Sequence, residues 1–373
     1  GTDALSMRTS YSQTGGLVHL KGSKHWGGLT GLADFWIVTG RKQKENNKLA
    51  RDIDLFIVDR AKREQQISVD EYYHKLGLFL IPYGLNSIDV RLPASSRLIP
   101  KTSGIKLMMD LLHRSRLRLS GIGLGFIKRM LDEAVAHCRQ RYVGGKSLLA
   151  YDQVQHRISV LQAYFTSASA MCYYTAGVSS LDNDLASYGL QANAAKSVLT
   201  DMMQDSAQSL LQLTGAKGYR RDHIAGRAVA DSRPFQIFEG SNDVMYSQVA
   251  DSILRKMKDG KFFNLYDFLY HFDLTSDAAN RFKNMLNFEL DFSSVQRTRV
   301  VLGKIVAKLI AANFTFDLYK TDFRPDLVDN ALEVIGNEIA AMMGSLKHSC
   351  VVRVLENYGE NSDWKLYQPL PTA

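Results

Sequence analysis

The sequence predicts an α+β protein of several domains: an antiparallel β-barrel or sandwich, then a four-helix bundle, then a further helical region. Three observations support this fold class. Short runs rich in Val, Ile, Phe and Trp fill residues 1–102, the apolar period becomes helical over 103–260, and amphipathic segments continue through 261–373. With 373 residues, the chain is long enough for two or three domains.

The first region is expected to form an antiparallel β-domain. Its strands are predicted in the segments GLVHLKG, DFWIVTG and DIDLFIVDR, and in IDVRLPASSRL, where Pro93 marks the exit of the last strand. No helical stretches of 10–15 residues alternate with these strands, which disfavours βαβ units.

The second region has four long helical patterns. They lie in GIKLMMDLLHRSRLRLSGIGLGFIKRMLDEAVAHCRQR, in DQVQHRISVLQAYFTSASAMCYYTAG, in NAAKSVLTDMMQDSAQSLLQLTG, and in NDVMYSQVADSILRKMKDG. The third is expected to end at Gly215, and the fourth to run from near Ser241 to Gly260. Four long helices joined by moderate loops indicate an antiparallel bundle. The helical tail after residue 260 is long enough to be a domain of its own.

Composition excludes several classes of protein. No apolar run approaches 18 to 20 residues, so no membrane span is predicted, and the start lacks a secretory signal pattern. The three cysteines are far apart, which disfavours a disulfide framework and favours a reducing compartment. The histidines form no HExxH or HxxxH set and there is no GxSxG motif, so no metal site or serine hydrolase is expected.

The net charge of +8 is compatible with a polyanionic ligand such as a nucleotide cofactor, a coenzyme or nucleic acid. The basic residues are spread through helical patterns rather than gathered in a tail, which favours a solvated surface over a nucleic-acid site. The charge alone does not choose among these ligands.

The stretch RPFQIFEGSNDVMYSQ contains one acid, Glu239, after three apolar residues and before Gly240. A buried carboxylate costs free energy unless it is paired. Two interpretations remain open from the residues alone: an exposed acid at a helix start with Ser241 as the cap, or a catalytic base.

Other glycine-containing segments are ambiguous in the same way. QLTGAKGYRRDH is either an ordinary helix ending at Gly215 or a close approach to a phosphate with Gln212 as a donor. Trp26 is either a rim residue or a wall against a planar ring. GIGLGF lies inside a helical pattern and is not a dinucleotide loop. The small residues Ser120, Gly121 and Gly125 are expected to let another helix approach closely.

Together and in this order, these segments resemble the acyl-CoA dehydrogenase family over roughly residues 1 to 255. IDVRLPASSRL is similar to V-x-V-P-x-x-x-x-L, and QLTGAKGY to Q-x-x-G-G-x-G-Y. The most specific block is the last, where FEGSND resembles the family's Y-E-G-T-N-E. The family's N-terminal helical domain has no counterpart in these residues, so the chain resembles a fragment that could not complete the family's active site alone.

The resemblance implies an FAD-dependent α,β-dehydrogenation of an acyl-CoA, in which Glu239 abstracts the α-proton and flavin N5 accepts the β-hydride. Cofactor binding is implied for Trp26, Arg141, Gln212, Gly215, Ser241 and Thr2, and substrate binding for Arg116 and Gly240. Relatives that keep the base elsewhere place it just before the arginine that matches Arg116, where this chain has Ser115.

The implied partners are an acyl-CoA substrate, an electron-transfer flavoprotein or O₂, and a second copy of the chain. A homodimer or homotetramer with FAD at the subunit interface is expected, in the cytoplasm or, in a eukaryote, the mitochondrial matrix. Trp26-Gly27-Gly28 departs from the family's W-I-T-N segment and is closer to the acyl-CoA oxidases. Two alternatives therefore stay open: an oxidase that uses O₂, and a flavin-containing DNA-binding or stress-response protein of the same fold.

Overall fold

The computed structural model describes residues 6–293, 295–347 and 353–362. The described chain contains the predicted β-domain followed by helices, and the α+β prediction is confirmed. The strands are β1 Ser10–Thr14, β2 Leu17–Gly28, β3 Phe35–Lys42, β4 Asp54–Asp59, β5 Ile67–Tyr72, β6 Tyr83–Pro93, β7 Tyr142–Val143 and β8 Lys146–Ser147. The helices are α1 Gly104–Gln140, α2 Asp152–Val178, α3 Gly189–Thr214, α4 Ile224–Ser232, α5 Asn242–Asp259, α6 Leu265–Tyr270, α7 Ser276–Arg281, α8 Lys283–Leu286, α9 Gln296–Asp317 and α10 Pro325–Lys347.

Strands β1 to β6 form one sheet in the order β4-β3-β1-β2-β6-β5. All neighbouring pairs are antiparallel except β1 and β3, which run parallel. The parallel pair differs from the purely antiparallel prediction. It arises because β3 returns from the end of β2 to lie on the far side of β1.

The start of α1 is built against the β-domain. The carboxylate of Asp52 accepts hydrogen bonds from the N–H groups of Gly104 and Ile105, 3.1 and 2.9 Å away, and Ser103 caps the same turn. These acceptors satisfy N–H groups that have no partner within the helix. A Cβ on Gly104 would lie 1.6 Å from the Ile53 carbonyl oxygen, so only glycine fits where the helix meets the chain before β4.

Helices α1 and α3 run parallel, side by side. Arg116 of α1 contacts Asn193 near the start of α3, and His137 near the end of α1 contacts the backbone of Leu213 near the end of α3. Gly123 makes this close packing possible, because a Cβ there would lie 2.6 Å from Leu199. Of the three small residues predicted to admit a neighbouring helix, Ser120 is buried, and its Oγ accepts from Thr175 Oγ1 of α2 at 3.2 Å. For Gly121 and Gly125 the prediction is wrong within the described chain, because a Cβ on either would meet nothing within 4 Å.

The tail packs on the bundle. One hydrophobic cluster contains buried residues of α1, α2, α3 and α5 together with residues of α9 and α10, such as Ile310 and Ile339. The closest approach is at Gly303 of α9, where a Cβ would lie 1.9 Å from the carbonyl oxygen of Tyr246 in α5. The described tail is therefore continuous with the bundle core.

We predict that Gly303→Ala destabilises the protein by roughly 1–3 kcal/mol, because the added methyl forces α9 away from the α5 backbone. Gly344→Ala is the matched control, since Gly344 also lies in a tail helix but its Cβ position has no atom of the described residues within 4 Å. The control is expected to be neutral or slightly stabilising. Urea unfolding followed by circular dichroism measures both; equal stability of the two variants would contradict this packing.

Candidate functional site

Glu239 lies in the turn between a short 3₁₀ helix and α5. Its φ is +57°, and Gly240 follows with a φ of +99°, so two successive residues are in the left-handed region. For a residue other than glycine this conformation costs on the order of 1–3 kcal/mol, and it persists only where surrounding contacts impose it. A Cβ on Gly240 would lie 2.5 Å from the Met245 Cε, which explains the glycine after the acid.

The first contact that imposes the turn comes from Arg116, which is 6% exposed. Its Nε and Nη2 donate to the carbonyl oxygen of Glu239 at 3.0 and 2.8 Å, and its Nη1 donates to Asn193 Oδ1 at 2.7 Å. Burial lowers the pKa of this guanidinium, and the negative charge of Glu239 acts in the opposite direction. The resemblance implied a substrate contact for Arg116; among the described residues, its partners are the backbone of the acid and Asn193.

The second contact comes from Lys196 of α3, which is fully buried. Its Nζ donates to the Gly240 carbonyl oxygen at 2.8 Å and to Asn242 Oδ1 at 2.7 Å. Burial and then the charge of Arg116 lower the pKa of Lys196, the charges of Asp201 and Glu239 raise it, and the resulting pKa is about 8.

The Glu239 carboxylate has one oxygen with a partner and one without. Ser115 Oγ donates a short hydrogen bond to Oε1. Oε2 is buried and accepts no hydrogen bond from the part of the chain that the structure describes. The N–H of Glu239 also has no acceptor among those residues. A free carboxylate oxygen and a free N–H donor on one residue can serve as a base and as a donor to an oxyanion.

An exposed aromatic surface of the β-domain lies beside the acid. Trp26 has a φ of +57° at the irregularity between His25 and Gly27, is 62% exposed, and its ring lies 4.6 Å from Tyr73 and 6.3 Å from Tyr83. Burial, followed by the charge of Glu239, raises the pKa of Tyr83. This charge effect shows that the aromatic surface and the acid are close together.

Gln212 and Gly215 lie elsewhere, at the end of α3. They line a shallow pocket of about 320 Å³ with Ala216 and Tyr219, and Gly215 has a φ of +68°. The adjacent surface is basic: burial and then the charges of Lys217, Arg141 and His223 lower the pKa of His137. The side chains that line this pocket are uncharged, and the basic residues lie beside it, around His137.

The predicted site residues thus form two groups. Arg116 and Arg141 are 25 positions apart on and just after α1, or about 37 Å along a helix axis. Trp26, Arg116, Glu239 and Gly240 belong to the first group; Arg141, Gln212 and Gly215 belong to the second. Ser241 adjoins the first group at the N-cap of α5, but its side chain makes no cap hydrogen bond. Thr2 lies outside the described residues.

A cleft of about 720 Å³ adjoins the first group. Asn193, Gln248 and Lys256 line it, together with Phe272 and Asp273 from the tail. Asn193 links the cleft to the acid, because it accepts from Arg116 and donates to Gln248 at 3.0 Å. No pattern in the sequence indicated this cleft, since its walls come from distant segments.

Sequence reasoning also missed Lys196 and Asn193 as neighbours of the acid. The sequence did contain an indication of these contacts. Asn193 and Lys196 are three positions apart, and Thr200 follows four positions later, so all three lie on one buried face of the third helical pattern. A lysine or asparagine at such positions needs a buried partner. Ser115 was noted only because it is not a carboxylate; its bond to Glu239 depends on the fold.

No helix of the described residues is long and apolar enough to cross a membrane. In the same part of the chain, no group of three or more His, Cys, Asp or Glu side chains is arranged to hold a metal ion. Cys138 and Cys172 are free thiols, and Cys350 lies outside the described residues.

The family model for the C-terminal domain of acyl-CoA dehydrogenases matches residues 102–254, which contain α1 to α4, the Glu239 turn and most of α5. This part of the chain is therefore similar to the C-terminal domain of that family. Its sequence is 26% identical over 249 residues to an acyl-CoA dehydrogenase of Bacillus subtilis, covering 65% of this chain and 63% of that protein. It is 26% identical over 259 residues to the caffeyl-CoA reductase–Etf complex subunit CarC of Acetobacterium woodii, covering 69% of this chain and 66% of that protein.

The fold of this chain is also shared with a crystal structure. The acyl-CoA dehydrogenase of Bacillus anthracis complexed with FAD matches 93% of this chain and 66% of that chain, with a TM-score of 0.73 and 19% identity. This coverage includes most of the region after residue 260. The chain spans less than two thirds of the length of each of these three proteins.

We predict that the contribution of Lys196 to stability depends on pH. Its folded pKa of about 8 lies below the ordinary 10.5, so between these values the unfolded chain binds a proton that the folded chain does not. The free energy of unfolding therefore rises with pH across this window, and the gain is lost as the pH falls through about 8. The urea midpoint of the unmodified protein should increase relative to Lys196→Met between these pH values; a constant difference would contradict the shift.

Proposed function

We propose that the full-length protein carrying this chain oxidises an acyl-CoA thioester between its α and β carbons with FAD as cofactor. The observation that supports this most directly is Glu239 Oε2, which is buried and has no hydrogen-bond partner among the described residues, on a turn held by Arg116 and Lys196. The similarity of residues 102–254 to the C-terminal domain of acyl-CoA dehydrogenases supports the reaction class.

Glu239 is proposed to be the base. The α-proton of a thioester is weakly acidic, so its removal needs a positioned acceptor and a donor to the oxygen on which negative charge develops. Oε2 would take the proton, and the N–H of Glu239 would donate to the thioester oxygen. Ser115, which donates to Oε1, would keep the other carboxylate oxygen occupied. Arg116 would not contact the substrate; it would hold Glu239 in place through the carbonyl oxygen of that residue.

The residues of the two groups fit the two ends of FAD. The exposed ring of Trp26, beside Tyr73 and Tyr83, would pack against the flavin, and the open Gly215 with the basic pocket would bind the diphosphate. When bound, FAD supplies the hydride acceptor of the reaction. FAD was found with the Bacillus anthracis relative, which supports the same cofactor here.

The separation of about 37 Å between Arg116 and Arg141 along the helix axis supports a shared cofactor site. We propose that Trp26 and Glu239 of one protomer and Arg141, Gln212 and Gly215 of a second protomer contact the same FAD. This requires a homodimer or a homotetramer in which each site contains residues of two copies.

The proposed electron acceptor is an electron-transfer flavoprotein, because one relative is a subunit of an Etf complex. An oxidase is the second candidate, favoured by the absence of a side chain at Gly27 and Gly28 beside the exposed Trp26. Reducing the flavin anaerobically with an acyl-CoA and then admitting air separates the two. Rapid reoxidation with peroxide release would favour the oxidase, and slow reoxidation would favour the flavoprotein acceptor.

We predict that Glu239→Gln slows anaerobic reduction of the flavin by acyl-CoA on the order of 10²–10⁴-fold, because the amide cannot accept the α-proton. Bound FAD should be unchanged. Glu133→Gln is the control, since Glu133 is a surface residue of α1 paired with Arg129. Stopped-flow absorbance of the full-length proteins measures the rate. Flavin reduction by Glu239→Gln at the unmodified rate would rule out the base assignment.

We predict that Arg141→Gln lowers the FAD content of the purified protein, whereas Arg139→Gln does not. Both arginines are exposed at the end of α1, but only Arg141 contributes its charge to the basic pocket around His137. The ratio of flavin absorbance to protein measures the content. Equal FAD loss in both variants would contradict a specific diphosphate contact.

A further inference from the structure

Lys196 is an unusual residue for the interior of a helix bundle. It is 0% exposed, and lysine is almost never fully buried unless it is paired. Its two hydrogen-bond partners are both neutral oxygens, the Gly240 carbonyl and Asn242 Oδ1. Burying a charge against neutral partners costs free energy, and an apolar residue of similar volume is often neutral or stabilising in such a place. Stability alone therefore does not account for it.

We propose that Lys196 is a positioning residue: by holding the Gly240 carbonyl, it fixes the direction of the Glu239 carboxylate and N–H. This inference rests on the function proposed above, because it assigns Lys196 a part in the same reaction without contact with the substrate.

The geometry of the turn carries the proposal. The carbonyl groups of Glu239 and Gly240 are consecutive, and each accepts from a different buried cation, Arg116 of α1 and Lys196 of α3. Hydrogen bonds from charged donors are about twice as strong as neutral ones. Two such contacts stabilise two successive left-handed residues and leave the peptide group little freedom to rotate. Loss of either contact would release the acid.

The second partner of Lys196 is itself fixed. Asn242 Nδ2 donates to Asp201 Oδ1 at 2.7 Å and to the Ser197 carbonyl at 3.2 Å, which leaves its Oδ1 facing the ammonium group. Asp201 Oδ2 accepts from Tyr246 at 2.6 Å. The ammonium group is thus held from α3 and α5 at once.

The electrostatic setting matches this role. The charged groups that act on Lys196 are Arg116 from α1, Asp201 from its own helix and Glu239 from the turn. With its pKa near 8, Lys196 is charged at neutral pH and loses its charge in mildly alkaline solution. Because a neutral amine donates a weaker hydrogen bond than an ammonium group, the turn should loosen locally as this charge is lost. The folded chain as a whole still gains stability over the same pH range, because a buried charge is removed.

The test uses the full-length flavoprotein with Lys196→Met, and Lys128→Met as the matched control. Lys128 is exposed on α1 and paired with Asp132. We expect Lys196→Met to lower kcat on the order of 10²-fold with KM little changed, because a small displacement of a catalytic group costs about that much. Hydrogen exchange of the amides of residues 237–241, followed by mass spectrometry, should become faster. The control should change neither quantity.

A folded Lys196→Met variant with the kcat and turn exchange of the unmodified protein would overturn the proposal. A variant that is only less stable, with unchanged kcat for the folded enzyme, would overturn it too. Lys196→Gln keeps a neutral donor in the pocket and should show a smaller loss of the same kind.

If neither variant folds, the proposal is tested by amide exchange of the unmodified protein. Amide protection at 237–241, corrected for the intrinsic pH dependence of exchange, should fall between pH 7 and pH 9.5 relative to the turn at 318–321. Unchanged protection would overturn the proposal. If Glu239→Gln keeps full activity while Lys196→Met still loosens the turn, the proposed reaction fails and the contact with the turn stands.

Discussion

Two consecutive carbonyl groups, those of Glu239 and Gly240, accept hydrogen bonds from two buried cations, and the candidate site depends on this pair of contacts. The turn has backbone angles that an acid adopts at a cost, so it exists only because Arg116 and Lys196 stabilise it. Since the carbonyls are held by the protein, the N–H of Glu239 and one carboxylate oxygen remain available for a ligand. Glycine follows the acid because the φ of this position is +99° and a Cβ there would lie 2.5 Å from Met245 Cε.

The fold supplies the two cations from two parallel helices. Helices α1 and α3 approach closely at Gly123, and this packing sets Arg116 and Lys196 at one end of the bundle and the basic pocket at the other. The tail adds a further layer, because α9 contacts the backbone of α5 directly at Gly303 and α5 begins at the turn. The residues near Glu239 and the residues near Gly215 thus lie at opposite ends of one bundle. The proposed sharing of one FAD between two copies of the chain is based on this separation.

Much of the fold follows from the sequence. Apolar periods as long as those of α1, α2, α3 and α5 predict helices with little ambiguity, and Gly215 and Gly260 end two of them as expected. Short elements such as β1, β5 and α4 were not predicted, because they have too few residues to show a hydrophobic period. The closely packed glycine of α1 was misassigned, since sequence alone does not show which face of that helix meets α3.

The candidate site was predicted in part. Glu239, Gly240 and Arg116 were singled out, but only on the resemblance to a family. The contacts of Ser115 and Lys196 with the Glu239 turn join residues 44 to 124 positions apart, and no local pattern encodes such a meeting. The one usable indication of these contacts was the charged Lys196 at a core position of its helical pattern. The oxygens that accept its hydrogen bonds could not be named without the fold.

The most direct test of the account is a structure of the full-length protein with FAD and a non-oxidisable acyl-CoA analogue. The account predicts the α carbon of the analogue about 3–3.5 Å from a carboxylate oxygen of Glu239. It predicts the thioester oxygen about 2.7–3.1 Å from the Glu239 N–H nitrogen. A thioester bound away from Glu239, or a turn whose Gly240 carbonyl has left Lys196 in the complex, would contradict it.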